Sequence, residues 1–219
     1  MDKSEGIFIL SAGPNASGKS TVINPRYIDG RIKHRLDPDR LLPIARNDIL
    51  SQESLNFYER GQSEKFAVSC MKDWLMSERI RKEGIGTESN LVSYRDFQNF
   101  ARAKQARMRT ELYFVGLPLA TAIQREQIRA NRGGQEKIDE SIISRRYANG
   151  ISNIKNHLES GNVDVVMVYD NSRGRGEEQL LLHIENGKPF FIHQDLPEWF
   201  KEAGLITPEM EKSCPKYKS

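Results

Sequence analysis

Long apolar runs and cysteine are both scarce in this chain. No apolar run approaches the roughly 20 residues of a membrane-spanning helix, so we expect no membrane association. The two cysteines, Cys70 and Cys214, are far apart and fit no metal-binding spacing, which predicts reduced thiols in a cytoplasmic protein. The opening residues, MDKSEG, show neither the basic start nor the cleavage site of a signal peptide.

An excess of charge of one sign is lacking as well. The chain has 33 Lys and Arg against 30 Asp and Glu, and the resulting net charge of +3 is too small to indicate nucleic-acid binding by itself. Aromatic and basic residues do not alternate as they do in single-strand binding grooves, so nucleic acid is disfavoured as a partner. With 37% hydrophobic and 29% charged residues, the 219-residue chain has the composition of a globular protein, and its length suits one domain.

The chain does contain a glycine-rich loop, AGPNASGKST, which begins at the last residue of the apolar run IFILSA. Gly13, Gly18, Lys19 and Ser20 fit the pattern G-x-x-x-x-G-K-[S/T]. Such a loop turns backbone N–H groups toward phosphates, while its lysine reaches the β- and γ-phosphates and its hydroxyl holds Mg²⁺. Pro25 is expected to end the following helix early. The loop residues assigned to the nucleotide are Gly13, Asn15, Ala16, Ser17, Gly18, Lys19, Ser20 and Thr21.

Hydrophobic patterning predicts an α/β fold. Five short apolar or β-branched runs alternate with helical patterns, which indicates a three-layer fold with a mostly parallel five-stranded sheet and helices on both faces. An Asn-Gly turn between two later apolar runs predicts a C-terminal β-hairpin. We expect residues 1–175 to form the core and residues 176–219 to add the hairpin, a short helix and a tail to the same domain. The predicted strands are Ile7–Ala12, His34–Asp37, Gly84–Glu88, Glu111–Leu117 and Val163–Tyr169.

Helical periodicity accounts for most of the remaining chain. Residues 51–82 predict one long helical region between the second and third strands. Further helices are predicted over 94–107 and 138–158, the latter with Asp139 as its N-cap, and a short one over 197–203.

Carboxylates follow the second predicted strand, in the sequence Asp37-Pro38-Asp39-Arg40. Ligands in an open α/β sheet sit outside the carboxyl ends of the strands, so this pair is expected to face the γ-phosphate from the acceptor side. One carboxylate can accept the proton of an attacking hydroxyl and the other can hold Mg²⁺ through water. The alternative is an ordinary Asp-Pro-Asp turn with solvated carboxylates.

The third predicted strand ends in Thr87-Glu88-Ser89-Asn90. Small polar groups at this edge suit a polar acceptor or a metal-bound water, and Glu88 can take the place of the aspartate that commonly holds the metal in P-loop ATPases. Alternatively, Ser89 or Asn90 caps the next helix, and both interpretations can hold together.

Five arginines flank a glycine pair at 133–134. The glycine pair lies between two helical patterns and is predicted to be a hinge. The arginines beside it could then close over the transferred phosphate, neutralise it and expel water. The alternative is a solvated helix face. Arg146 lies near the apolar stripe of its helix and Arg145 lies opposite, so at most one of this pair is expected to reach the site. The arginines are Arg125, Arg129, Arg132, Arg145 and Arg146.

Taken together, these segments resemble the zeta toxin family of bacterial P-loop kinases, in its stand-alone branch. The resemblance implies a P-loop kinase fold with a five-stranded parallel core. It also implies transfer of phosphate from ATP, with Mg²⁺, to a hydroxyl, which in the toxin members belongs to uridine diphosphate-N-acetylglucosamine. The matching segments, from about residue 7 to 190, are FILSAGPNASGKST, LDPDRLL, GTESNLVS, ELYFVGLPLATAIQREQIRANRGGQ, IISRRYANGISNI, VYDNS and IENGKPF.

The resemblance also assigns roles to individual residues. It makes Asp39 the general base, with Arg40 beside it, and places Glu88 in the acceptor pocket. The predicted catalytic residues are Asp39, Lys19, Arg129 and Arg145, and Arg125 and Arg132 are added to the nucleotide-binding set. The predicted acceptor-binding residues are Asp37, Arg40, Thr87, Glu88, Ser89 and Arg146, and the predicted metal ligands are Ser20, Asp37 and Glu88.

The chain also departs from the family pattern. Gln135 stands where many relatives have histidine after the glycine pair, and Thr-Glu-Ser-Asn replaces the common Glu-Thr-Thr. The kinase chemistry is expected to survive these changes, but the acceptor is left open. A nucleotide-sugar kinase is the first hypothesis, and a polynucleotide 5′-hydroxyl kinase and a non-catalytic nucleotide-binding module are the alternatives. A toxin restrained by an antitoxin partner is a separate biological hypothesis.

Overall fold

One seven-stranded sheet organises the chain in the computed structural model, which describes residues 6–23, 30–36, 50–132, 138–174 and 176–214. The strand order is β2-β3-β1-β4-β5-β6-β7, and all pairs from β2 to β5 are parallel. The strands are β1 (Ile7–Ala12), β2 (His34–Leu36), β3 (Ile85–Ser89), β4 (Arg109–Gly116), β5 (Val165–Asp170), β6 (Gln179–Glu185) and β7 (Lys188–Ile192).

The five predicted strands therefore form the parallel part of the sheet, but the expected total of five is wrong. The predicted hairpin, β6 and β7, does not pack separately, because β6 pairs antiparallel with β5 and extends the same sheet. Its turn is the expected Asn186-Gly187, and both residues adopt the positive φ angles, 50° and 74°, that the tight turn requires.

Nine helices lie within the described residues, and none of them is both long and apolar enough to cross a membrane. The single helical region expected over 51–82 is instead three helices, because Gly61, with φ at 65°, follows the first and Ser77 caps the third. Asp139 is the N-cap of the long helix, as predicted. The helices are α1 (Lys19–Ile23), α2 (Gln52–Glu59), α3 (Ser63–Met76), α4 (Glu78–Glu83), α5 (Tyr94–Gln105), α6 (Leu119–Asn131), α7 (Glu140–Glu159), α8 (Glu198–Glu202) and α9 (Pro208–Ser213).

The two sheet faces bury apolar side chains unequally. Phe8 and Leu10 of β1 join a large cluster with α3, α5 and α8. Ile9 points to the other face and joins a smaller cluster that includes Val22 of α1. Successive residues of one strand point to opposite faces, so β1 is central to both clusters.

An ionic cluster lies on the second face. Glu111 of β4 is 1% exposed and accepts two hydrogen bonds from the guanidinium of Arg31, at 2.8 and 2.9 Å, and one from Tyr113 at 2.5 Å. Burial favours the neutral carboxyl, but hydrogen bonds from Arg31, Tyr113 and Arg109 outweigh it and lower the pKa of Glu111. Arg31 precedes β2 by three residues, so this cluster ties the start of that short edge strand to the sheet.

The side chain of His157, on α7, is buried among aromatic rings. It is 1% exposed and stacks on Phe97 of α5, with ring centroids 3.8 Å apart, and no described residue forms a hydrogen bond with either ring nitrogen. Burial lowers the pKa of His157 from 6.5 to about 4.

This histidine predicts a pH-dependent stability. Between pH 6.5 and 4 the unfolded chain binds a proton at this ring and the folded chain does not. The contribution of His157 to the free energy of unfolding is therefore complete above pH 6.5 and is lost as the pH falls toward 4. Replacing the ring in His157→Phe should remove this dependence, which amounts to up to about 3 kcal/mol. Urea unfolding of both proteins at pH 7.0, 6.0 and 5.0 measures the difference. A constant difference between them would show that His157 does not titrate as described.

Candidate active site

The glycine-rich loop leaves the sheet at the carboxyl end of β1, between β3 and β4. The Gly13 N–H donates to the carbonyl of Ser89 at the end of β3. Gly13 has φ at 146°, and a Cβ atom there would lie 2.2 Å from the carbonyl oxygen of Val115. Only glycine can therefore pass so close to β4 at this point.

Lys19 folds back over the loop. Its Nζ donates to the carbonyls of Gly13 and Pro14, at 2.9 and 3.0 Å, and to Oδ1 of Asn90 at 3.2 Å. The ammonium group is thus held at the mouth of the loop by oxygen acceptors. Phosphate oxygens are acceptors of the same kind with more negative charge, so the arrangement fits a bound polyphosphate.

Asn171, directly after β5, supports the loop from behind. Its Nδ2 donates to the carbonyl of Ser17 at 2.7 Å, and a Cβ atom on Gly18 would lie 2.4 Å from that same nitrogen. Asn171 is not among the site residues predicted from the sequence. The signal was present, since an asparagine follows a buried strand at the ligand-binding edge of the sheet.

Ser20 and Glu88 come together at the start of α1, as their shared assignment to the metal requires. Ser20 Oγ lies 3.0 Å from Glu88 Oε2, and the Glu88 side chain is 12% exposed. Adjacent ligand oxygens around an octahedral Mg²⁺ lie about 3 Å apart, and such ions take one or two carboxylates plus substrate phosphates. The pair therefore fits Mg²⁺, although the described ranges contain no cluster of three acidic, His or Cys side chains suited to a metal ion.

The neighbours of Glu88 are buried or hydrogen-bonded within the protein. Thr87 is 5% exposed. Ser89 Oγ donates to Asp96 at 2.8 Å and accepts from the Leu91 N–H at 2.9 Å, which closes the turn into α5. The N-cap of α5 is Ser93, so the alternative in which Ser89 or Asn90 caps this helix is wrong. Burial raises the pKa of the Asp96 carboxyl to about 6, against the opposing hydrogen bond from Ser89.

The arginines on α6 divide by exposure. Arg125 is half-buried and donates to the carbonyl of Ser172, at 3.2 Å, in the loop that follows β5. Arg129 and Arg132 are exposed near the end of the helix. Arg125 therefore contacts the edge of the sheet beside Asn171.

The two adjacent arginines of α7 face different ways. Arg145 is exposed, on the same side as the exposed Asn149. Arg146 is half-buried and lies one turn before Gly150, whose position for a Cβ atom is 2.8 Å from the carbonyl oxygen of Asn90. Arg146, and not Arg145, therefore lies on the side of α7 that faces the loop after β3.

Several predicted site residues lie outside the described residues. These are Asp37, Asp39 and Arg40, together with the glycine pair at 133–134 and Gln135.

Known proteins were compared with this chain by sequence and by structure, and only the structures match. No protein-family model and no curated protein matches the chain. Among solved structures, a chain of the AvrRxo1-ORF1:-ORF2 complex crystallised with ATP has a TM-score of 0.58 at 15% identity, over 86% of this chain and 61% of that one. The native complex gives a TM-score of 0.57 at 16% identity, over 95% and 63%. This chain and the AvrRxo1 chain share a fold.

The chain therefore spans less than two thirds of the AvrRxo1 chains that it matches. A chain of the PezAT chromosomal toxin-antitoxin system of Streptococcus pneumoniae gives a TM-score of 0.48 at 17% identity, over 81% of this chain and 73% of that one. A shared fold is therefore established for the AvrRxo1 chains, whose TM-scores are above 0.5.

The hydrogen bond from Asn171 to the Ser17 carbonyl predicts that Asn171→Ala binds ATP more weakly. The variant frees the Ser17 carbonyl and opens a gap behind Gly18, so the loop has to be ordered when the nucleotide binds. We expect about a tenfold weaker Kd for ATP, because one hydrogen bond is worth about 1 kcal/mol and ordering a loop adds to this cost. Calorimetric titration measures it, with Asn156→Ala, on the exposed side of α7, as the matched control. Equal affinities in the two variants would remove Asn171 from the site.

Proposed function

We propose that this chain is an ATP- and Mg²⁺-dependent kinase that transfers the γ-phosphate to a hydroxyl of a small acceptor. The observation that carries the proposal is the convergence of Lys19 and the Ser20–Glu88 pair at one sheet edge. A nucleotide-binding module needs only the loop. A carboxylate beside the loop hydroxyl adds the metal site that phosphoryl transfer uses.

Each group has a role in this proposal. Lys19 neutralises the β- and γ-phosphates, and Ser20 and Glu88 hold Mg²⁺, which offsets the charge on the transferred group. Asp39, three residues beyond the end of β2 in the sequence, is the general base toward the acceptor hydroxyl. The proposed phosphate-side cations are Arg125 and Arg146, which lie on the buried sides of their helices, with Arg129 and Arg132 at the exposed end of α6.

The resemblance to the zeta toxin family supports a nucleotide sugar as the acceptor, with uridine diphosphate-N-acetylglucosamine as the first compound to test. The AvrRxo1 chains with this fold were crystallised as a complex of two proteins, one form with ATP. We accordingly propose ATP as the donor and a protein partner of the antitoxin kind as a candidate regulator.

A transfer assay tests the function directly. The purified protein is incubated with γ-labelled ATP, Mg²⁺ and a panel of nucleotide sugars, nucleosides and a 5′-hydroxyl oligonucleotide. We expect label on a nucleotide sugar, a loss of about 10²- to 10⁴-fold in Asp39→Asn with little change in ATP affinity, and a loss of ATP binding in Lys19→Ala. Label on the oligonucleotide instead would make the chain a polynucleotide kinase. ATP that binds without transfer to any acceptor would contradict the proposed reaction for the compounds tested.

The adjacent arginines of α7 give a matched pair of variants. Arg146→Ala should lower kcat about 10²- to 10³-fold, because it removes a cation from the side of the helix that packs on the loop after β3. Arg145→Ala removes the same charge from the exposed side and should change kcat less than about threefold. Steady-state kinetics of both variants measures the split. A larger effect in Arg145→Ala would reverse the assignment.

A further inference from the structure

Arg35 of β2 was not assigned any role from the sequence, yet it contacts the proposed metal ligand. Its guanidinium forms an ion pair with Oε1 of Glu88, while Oε2 of the same carboxylate faces Ser20 Oγ. The two oxygens of Glu88 therefore face different partners, one a protein cation and the other the proposed metal position.

The sheet register makes this contact possible. Arg35 pairs with Gly86 on β3, and Glu88 lies two residues further along, on the same face as Gly86. Gly86 has no side chain between them, so the long arginine side chain can extend along this face of the sheet to the carboxylate. The buried Nε of Arg35 has no hydrogen-bond partner, which leaves Glu88 as the partner that the described residues provide for this guanidinium.

We propose that Arg35 is a built-in counter-ion of Glu88 that makes metal binding conditional on the nucleotide. This inference rests on the proposed use of nucleotide and Mg²⁺. With Arg35 in place, the carboxylate is already neutralised, and a divalent cation arriving alone meets a neighbouring positive charge. When nucleotide phosphates are present, their negative charge compensates both cations, and the ion binds at Ser20 and Glu88 together with the phosphates.

Binding of Mn²⁺ without nucleotide tests the proposal independently of turnover. The electron paramagnetic resonance signal of free Mn²⁺ gives its Kd for the wild type, Arg35→Met, Arg35→Lys and Arg35→Met/Glu88→Gln. We expect Mn²⁺ to bind Arg35→Met at least about tenfold more tightly than the wild type, because the competing charge is gone. Arg35→Lys keeps the charge and should resemble the wild type, and the double variant should lose the gain.

The exposed Arg60, the C-cap residue of α2, supplies a charge control in Arg60→Met, which should not change the Kd. Thermal unfolding identifies any variant that does not fold, and Arg35→Gln then replaces Arg35→Met. An unchanged or weaker Kd for Mn²⁺ in a folded, uncharged Arg35 variant would overturn the proposal, as would a gain that persists without Glu88. Tighter Mn²⁺ binding in a chain that transfers no phosphate would support this inference while contradicting the proposed function.

Discussion

The candidate site depends on the parallel pairing of β1 with β3 on one side and β4 on the other. Parallel strands bring their carboxyl ends to one edge, so the loop after β1 emerges where β3 presents its last polar residues. Ser11 is in register with Glu88 and Ala12 with Ser89, which puts the carboxylate beside the first turn of α1. A slip of one residue in β3 would turn Glu88 to the opposite face of the sheet and leave Ser20 without it.

Helix α7 is joined to the loop through Asn90. The Asn90 side chain accepts a hydrogen bond from Lys19, and its backbone carbonyl lies against Gly150, where any side chain would collide. A glycine inside a helix costs about 1 kcal/mol relative to alanine, so this close approach is the compensation for placing one here. The backbone of Arg146 lies one helical turn before this contact.

Much of the fold could be predicted because its signals are local. The buried strands, the Asp139 cap and the Asn-Gly turn each depend on a few neighbouring residues, and all are present. The continuation of the sheet through the hairpin could not be predicted, since it depends on pairing between β5 and β6.

The candidate site also has a part that could be predicted from local sequence and a part that could not. The loop residues follow from a motif, whereas the contacts of Asn171 and Arg35 join residues that are distant in sequence. Helical spacing alone distinguished Arg146 from Arg145 but could not show which one faces the loop after β3. The contact between Gly150 and Asn90 supplies that direction.

The hairpin also determines which strand, with its unpaired backbone N–H and C=O groups, lies at one edge of the sheet. Without it, β5 would be an outer strand of six residues rich in valine, whose free N–H and C=O groups could recruit another chain. With it, the outer strand on that side is β7, which begins with Lys188 and Pro189, a charged residue and one that has no N–H to donate. Among the described strands, the opposite rim is the three-residue β2. Both rims are therefore poor templates for strand addition, so the sheet resists edge-to-edge aggregation.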